Sequence, residues 1–281
     1  RMDEISIYAG LMVAGVGFLC QYLDATLGMG YGITLAPLLL LLGFEPLEIV
    51  PAALVSQFAA GVLGGLCHHC YGNADLLPRA APPGIVAAKI RELGYLETFR
   101  RGLPRHLKVA LLLGACGIPG AIMAVAVAIS IPPIWLELYI GFLVISIGVV
   151  LLVFRNRVLR FSWIKLGLLG TLASFNKGLT GGGYGPLVTS GQLLSGVDGK
   201  GAVGVTTVAQ GLACFAGIVC YVFVDAEAVS WALVPYTLAG GVVALPLCGL
   251  TVSKLGTMQL RNGVALFTLL LGILTLAKAV L

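Results

Sequence analysis

The sequence predicts an all-α, polytopic membrane protein built as two related halves, and three observations carry that prediction. First, the 281 residues are 59% hydrophobic and 10% charged, with a mean hydropathy of +1.02. A soluble domain carries roughly 25% charged residues, so this chain lacks the polar surface to coat a body in water. Second, the apolar residues fall in long uninterrupted blocks, as membrane-spanning helices require. Third, the chain repeats itself. Moving it by 153 positions lays Gly28–Gly32 (GMGYG) on Gly181–Gly185 (GGGYG) without a gap.

Ten apolar segments follow along the chain: Ile5–Leu23, Gly30–Gly43, Leu47–Tyr71, Leu107–Ile131, Ile134–Phe154, Phe161–Asn176, Gly183–Leu194, Gly201–Val224, Ser230–Ser253 and Met258–Leu281. The first has no basic leader and no small-residue cleavage site, so it is expected to be a retained helix. Eight are long enough to span. The second and seventh are short: fourteen residues at about 1.5 Å each reach about 21 Å, against a hydrocarbon core of about 30 Å. Each short segment follows a glycine-rich break. The 39 glycines suit close helix packing in lipid. Cys20, Cys116, Cys214, Cys220 and Cys248 sit in apolar stretches and read as small hydrophobes rather than as a disulfide framework. The run Cys67–Cys70 (CHHC) holds four adjacent ligand-type residues, which cannot readily close a tetrahedron around one metal ion.

The repeat sets the domain organisation. The same shift pairs Val50 with Val203, Val55 with Val208, Gln57 with Gln210, Ala60 with Ala213 and Gly64 with Gly217. Later segments align at a shift of 124, which pairs Gly117 with Gly241 and Gly148 with Gly272. The first repeat is thus 1–156, with an insertion at about 72–106, and the second is 157–281. The insertion carries Arg79, Lys89, Arg91, Arg100, Arg101 and Arg105. The link between repeats carries Arg155, Arg157 and Arg160, and Lys254 and Arg261 flank the last short loop. The positive-inside rule places all three in the cytoplasm. The acidic Asp225–Val229 turn then lies outside, as do both termini. These assignments agree only if the short segments cross the membrane; were they re-entrant, Lys254 would lie outside. The result is five plus five passages and two inverted repeats. Within the insertion, Val86, Ile90, Leu93, Leu96, Phe99 and Leu103 recur at near-helical spacing, which fits a basic amphipathic helix on the inner leaflet or a solvated loop. The net charge of +5 is confined to such loops, so it reports orientation and not a nucleic-acid partner.

Inverted repeats with broken helices at matched positions point to a secondary transporter whose site lies where the repeats meet. A helix that begins inside the membrane has unpaired N–H groups and a positive dipole end. Glycines before it, here Gly28, Gly30 and Gly32 and again Gly182, Gly183 and Gly185, let an anion approach bare backbone. Tyr31 and Tyr184 stand at the two helix starts. Gln57 and Gln210 are symmetry-related amides in apolar helices and can donate to an oxyanion or bond each other's helices. Thr206 and Thr207 precede Gln210 by one turn. Lys177 follows a short helix, where a buried cation requires a partner: an anion, or Asp24, which the shift of 153 places at the equivalent position. No catalytic constellation, phosphate loop or energising domain is present, so neither enzyme activity nor a cofactor is expected, and transport would draw on an ion gradient or be passive.

The stretch LTGGGYGPLVTSGQLLSGVDGKGAVGVTTVAQGLACFAG (Leu179–Gly217) resembles the signature of the sulfite exporter TauE/SafE family. DATLGMGYGITLAPLLLLLGFEPLEIVPAALVSQFAAG (Asp24–Gly61) resembles its first-half counterpart. The resemblance covers nearly the whole chain. It implies an exporter of sulfur-containing anions such as sulfite or organosulfonates in the plasma membrane of a bacterium or archaeon, with the bilayer and a small anion as partners. A passive channel for small anions or other solutes is the alternative.

Overall fold

The computed structural model describes residues 7–28, 30–76, 84–97, 103–153, 162–194, 197, 199–224, 231–254, 269–270, 273–274 and 276–277. Met29, Arg79, Arg100, Arg101, Arg155, Arg157, Arg160, Asp198, the 225–230 turn and Arg261 lie outside the described residues, and of the tenth segment only those last short pieces are described. The described elements are helices: α1 (Ile7–Leu27), α2 (Tyr31–Leu41), α3 (Pro46–Cys70), α4 (Ile85–Glu97), α5 (Arg105–Ala128), α6 (Pro133–Val153), α7 (Trp163–Thr180), α8 (Tyr184–Leu194), α9 (Gly199–Val224) and α10 (Val234–Lys254). Five of them, α1, α3, α5, α9 and α10, are long and apolar enough to cross a membrane. Their outer faces carry large side chains in the open, such as Phe223 at 85% and Tyr8 at 79% exposure. Lipid accommodates such a surface and water does not.

Local chemistry fixes the helix ends. Glu45 caps α3 through a reciprocal capping box with Glu48, and Pro46 opens its first turn. The Ser162 hydroxyl accepts from Lys165 N at the start of α7. Gly181 ends α7 in the left-handed region, with φ 71°. Gly30 precedes α2 at φ 134°, a conformation that costs a side chain dearly.

The packing follows the repeat residue by residue. α1 packs along α10 as α7 packs along α5; α3 meets α10 as α9 meets α5; α1 meets α2 as α7 meets α8; and α3 crosses α9. A Cβ placed at Gly17 would lie 3.2 Å from the Thr237 carbonyl oxygen, and one at Gly170 would lie 3.0 Å from that of Leu113. Gly17 and Gly170 differ by 153, and Leu113 and Thr237 by 124. Gly241 faces the Gln21 side chain as Gly117 faces Ser174, and Gly64 faces Thr207 as Gly217 faces Leu54. At the α3–α9 crossing, Gly61 and Gly211 put backbone on backbone, with a Cβ at Gly61 only 2.4 Å from Gly211 Cα. Glycine is required there because any side chain would separate the helices.

The described contacts give the direction of each helix. α1 and α3 both run parallel to α10: Gly10 lies on Tyr236, Gly240 on Ala14, Ser56 on Thr237, and Tyr71 on Gly249. α1 and α3 therefore start at the same end of the bundle. α2 joins the end of α1 to the start of α3 and must run back toward that end. Asp24, near the end of α1, meets Gln210 midway along α9, and a Cβ on Gly28 just beyond α1 would lie 3.2 Å from Val203, near the start of α9. α1 and α2 thus form a helical hairpin, and α7 and α8 form the matching one from the opposite end.

The two ends differ in charge. Arg105 and Lys108 at the start of α5, Lys165, Lys200 and Lys254 gather at one end, where Lys200 Nζ donates to Ser253 O and Asp75 N donates to His106 Nδ1. Glu45 and Glu48 lie at the other. The amphipathic stretch of the insertion is interrupted: Gly94 takes φ 73° inside α4, and Tyr95 beyond it is 83% exposed.

Candidate functional site

The two hairpin tips meet. A Cβ on Gly32 would lie 1.8 Å from Gly181 O and 2.3 Å from Gly182 Cα, so the first turn of α2 rests directly on the backbone of the second break. Positive φ recurs at matched positions, 69° at Gly28 and 71° at Gly181, 134° at Gly30 and 78° at Gly183. The two breaks have one backbone design.

Around this contact lies a buried polar cluster. Asp24, near the end of α1, accepts from Tyr31 N at 3.2 Å and from Gln210 Nε2 at 3.0 Å. The first N–H of α2 is therefore already satisfied by an internal carboxylate, which also suits the positive end of that helix. Tyr31 is fully buried; its hydroxyl donates to Ser56 Oγ, which donates to Thr237 O. Gln57 Nε2 donates to Gln21 Oε1, leaving Gln57 Oε1 and Gln21 Nε2 without partners. Gly28 O accepts from Thr189 Oγ1 at 2.6 Å, and Thr189 and Thr206 share a hydrogen bond at 2.9 Å, with Gln192 Nε2 donating to Thr206. The Gly30 carbonyl accepts from the Thr34 hydroxyl.

Lys177 is 2% exposed. Its Nζ lies 5.8 Å from the centroid of the Tyr31 ring, a cation–π distance, and among the described residues it has no hydrogen bond and no carboxylate in salt-bridge contact. Asp24 attracts it across the Tyr31 backbone and ring without touching it. At the second break, Gly182 N donates to Thr180 Oγ1. Gly183 precedes α8, Gly185 is buried in its first turn, and the buried Tyr184 hydroxyl has no partner among the described residues.

The structure therefore brings Asp24, Tyr31, Gln57, Gln210, Lys177 and the glycines of both breaks into one region, joined by Thr206. Thr207 is turned elsewhere: its hydroxyl bonds Val203 O in its own helix, and its methyl packs at Gly64. Sequence reasoning missed Gln21, Ser56, Thr189 and Gln192. A signal for one pair was present, because the shift of 153 lays Gln21 on Ser174, two polar residues in apolar helices. The CHHC run ends α3 with His68 bonded to Asn73, which donates to Gly249 O, and the described residues hold no group of three or more metal-type side chains.

Comparison with known proteins bears on this site. The family model "Sulfite exporter TauE/SafE" matches residues 92–275, which covers the second break and most of the cluster contributed by α7, α8 and α9. The chain is 26% identical over 256 residues to the "Probable membrane transporter protein YtnM" of Bacillus subtilis (strain 168), a match covering 87% of this chain and 75% of that protein. No solved structure matches the chain.

Proposed function

This chain belongs to the sulfite exporter TauE/SafE family, it is a multi-pass membrane transporter, and from there we propose that it carries small sulfur oxyanions, sulfite or organosulfonates, across the plasma membrane of a bacterium or archaeon. The anion is bound at the second break, between Lys177 and the start of α8, with the Tyr184 hydroxyl completing its shell. The single observation that carries this reading is Lys177: a buried ammonium without a hydrogen bond or contacting carboxylate among the described residues, beside a glycine-led helix start. A buried cation is costly unless paired, and backbone N–H groups at a helix start complement an anion. A sulfonate or sulfite group presents three oxygens to such convergent donors. Each charge-assisted hydrogen bond contributes about 1.5–3 kcal/mol, so a few offset part of the dehydration.

The first break contributes differently from the second. Asp24 already occupies the α2 start, so only one of the two helix starts is open to an external anion. The scaffold is read as two inverted repeats, 1–156 and 157–281. The matched helix pairings and the paired glycine contacts support that reading, as does entry of the two hairpins from opposite ends. The gathering of Arg105, Lys108, Lys165, Lys200 and Lys254 at one end supports a cytoplasmic location for it.

Calorimetry on the purified chain with sulfite, thiosulfate, sulfate, methanesulfonate, taurine and acetate tests the proposal. Lys177→Met is expected to weaken binding of every anion that the wild type binds. Wild-type binding of neutral or cationic solutes alone, or anion affinity unchanged by Lys177→Met, would overturn the assignment of the site.

A further inference from the structure

The repeat places opposite charges at one equivalent position, Asp24 in the first half and Lys177 in the second. The fold then brings both into the buried core, Asp24 8% and Lys177 2% exposed, on either side of Tyr31. Among the described residues Asp24 accepts from Tyr31 N and Gln210 Nε2, while Lys177 has no hydrogen bond and meets the carboxylate's field and the Tyr31 ring. At rest the core is neutral, with one negative charge opposite one positive. A bound monovalent anion beside Lys177 would leave the core with two negative charges against one, in a region where charges interact strongly. Protonation of Asp24 removes that excess. Its carboxylate takes up one proton to become the neutral acid, and the loaded core is neutral again.

We infer that Asp24 and the substrate anion are alternating counter-charges of Lys177, so that each anion bound is accompanied by one proton on Asp24 and the two are carried together. This rests on the anion-carrier reading above and adds its coupling ion. The sign follows from linkage. A like charge nearby favours the protonated carboxyl, so the anion-bound state holds more protons than the free state. Anion affinity therefore rises as pH falls through the range between the free and the loaded titration of Asp24, and it is flat outside that range. Transport of a sulfonate with its proton moves no net charge. Its direction is set by the anion and proton gradients together.

Other titratable groups face Asp24 and must be separated from it. They are Tyr31 on α2, Cys20 on α1, Cys214 on α9, Cys248 on α10 and Lys177 on α7. On α3, His68 lies against the Ala25 carbonyl, one residue beyond Asp24. His68→Gln is the control, because histidine is the usual side chain to change charge near neutral pH.

The test uses methanesulfonate, a monovalent anion whose own charge is constant between about pH 5 and about pH 8. Sulfite is unsuitable because it titrates in that interval. Calorimetry of the full-length wild type in two buffers of different ionisation enthalpy counts protons directly, without any variant. The expected result is uptake of up to one proton per anion, with affinity falling up to about tenfold per pH unit within the linked range. Asp24→Asn keeps the size of the side chain and mimics the protonated acid. It should bind anion without proton uptake and without pH dependence, and in proteoliposomes it should exchange labelled anion but fail to accumulate it under a pH gradient. His68→Gln should retain the wild-type slope. Binding without proton uptake in wild type overturns the inference while leaving the carrier reading intact, as does a pH slope that survives Asp24→Asn. If no anion binds at any pH, the carrier reading falls first.

Discussion

Alanine at Gly32 is the sharpest perturbation this structure offers, because it inserts one methyl group between the two hairpin tips and nowhere else. The added Cβ would lie 1.8 Å from Gly181 O, 2.3 Å from Gly182 Cα and 2.4 Å from Gly181 C. An ordinary contact begins near 3.4 Å, so the tips must separate by about 1.6 Å, the difference between 3.4 and 1.8. The obstructing atoms are backbone on both sides, so no rotamer change relieves the clash. Overpacking of this kind costs about 1–3 kcal/mol, and the upper end applies because backbone must move. The second break is the proposed binding site, so displacing its backbone should also weaken anion binding. Gly15→Ala is the matched control: it lies in α1 with nothing within 4 Å of its Cβ. In an open helix position, alanine is worth up to about 1 kcal/mol over glycine. Thermal unfolding in detergent and anion calorimetry would be measured on both variants. Gly32→Ala should unfold at lower temperature and bind poorly, while Gly15→Ala should match or exceed the wild type. Equal binding by the two variants would show that the tips do not meet as described, and the reasoning would fail with that contact.

Three further outcomes follow from the same contacts. Tyr31→Phe removes the hydroxyl that donates to Ser56 and should cost about 1 kcal/mol in unfolding free energy. Tyr184→Phe removes an unpaired hydroxyl, so it should leave stability unchanged or higher and weaken only anion binding; unchanged binding would remove Tyr184 from the site. Gln210→Leu strips a donor from the buried Asp24 carboxylate and should destabilise by about 1–3 kcal/mol, a loss that Asp24→Asn in the same chain should partly relieve; additive losses in that double-mutant cycle would mean that the bond carries no coupling. For topology, a cysteine at Arg91 should resist membrane-impermeant reagents in intact cells and react in inverted vesicles; ready labelling from outside would reverse the assigned orientation.

Much of this arrangement was legible before any coordinates, because a repeat constrains chemistry as well as shape. GMGYG over GGGYG located both breaks, and the two glutamines located the depth at which the helices meet. Lys177 stood out because it follows a short helix, and the alignment of the halves then set Asp24 at the equivalent position. What escaped was contact information that spacing does not encode. Ser56 and Thr189 look like ordinary helix-face residues, and their counterparts Ala209 and Ala36 are apolar, so the shift gave no signal for them. Thr206 and Thr207 part company because neighbouring helical residues point about 100° apart.

The asymmetry within a symmetric scaffold is the feature that decides how such a site can work. Two identical helix starts meeting tip to tip would offer two equal anion positions, and like charges on both would repel. Here the halves diverge at the positions that matter. Asp24 fills the first start from within and Lys177 stands unfilled beside the second; Ser56 secures Tyr31, while its counterpart Ala209 leaves the Tyr184 hydroxyl free. On the proposed reading, the first break is capped from within and the second takes one anion. Charge reversal tests that division of labour directly. Exchanging the two residues, Asp24→Lys with Lys177→Asp, restores the same pair of charges across the pseudo-twofold relation. If only the pair of charges matters, the exchanged chain should bind anions as the wild type does. If the division between capped and open breaks matters, the lysine now meets the α2 start while the aspartate faces the start of α8, and anion binding should be lost although the pair remains complete. Calorimetry on the exchanged chain, beside thermal unfolding to establish that it folds, distinguishes the two. Retained binding at wild-type affinity would mean that the Ser56 and Tyr184 differences are incidental.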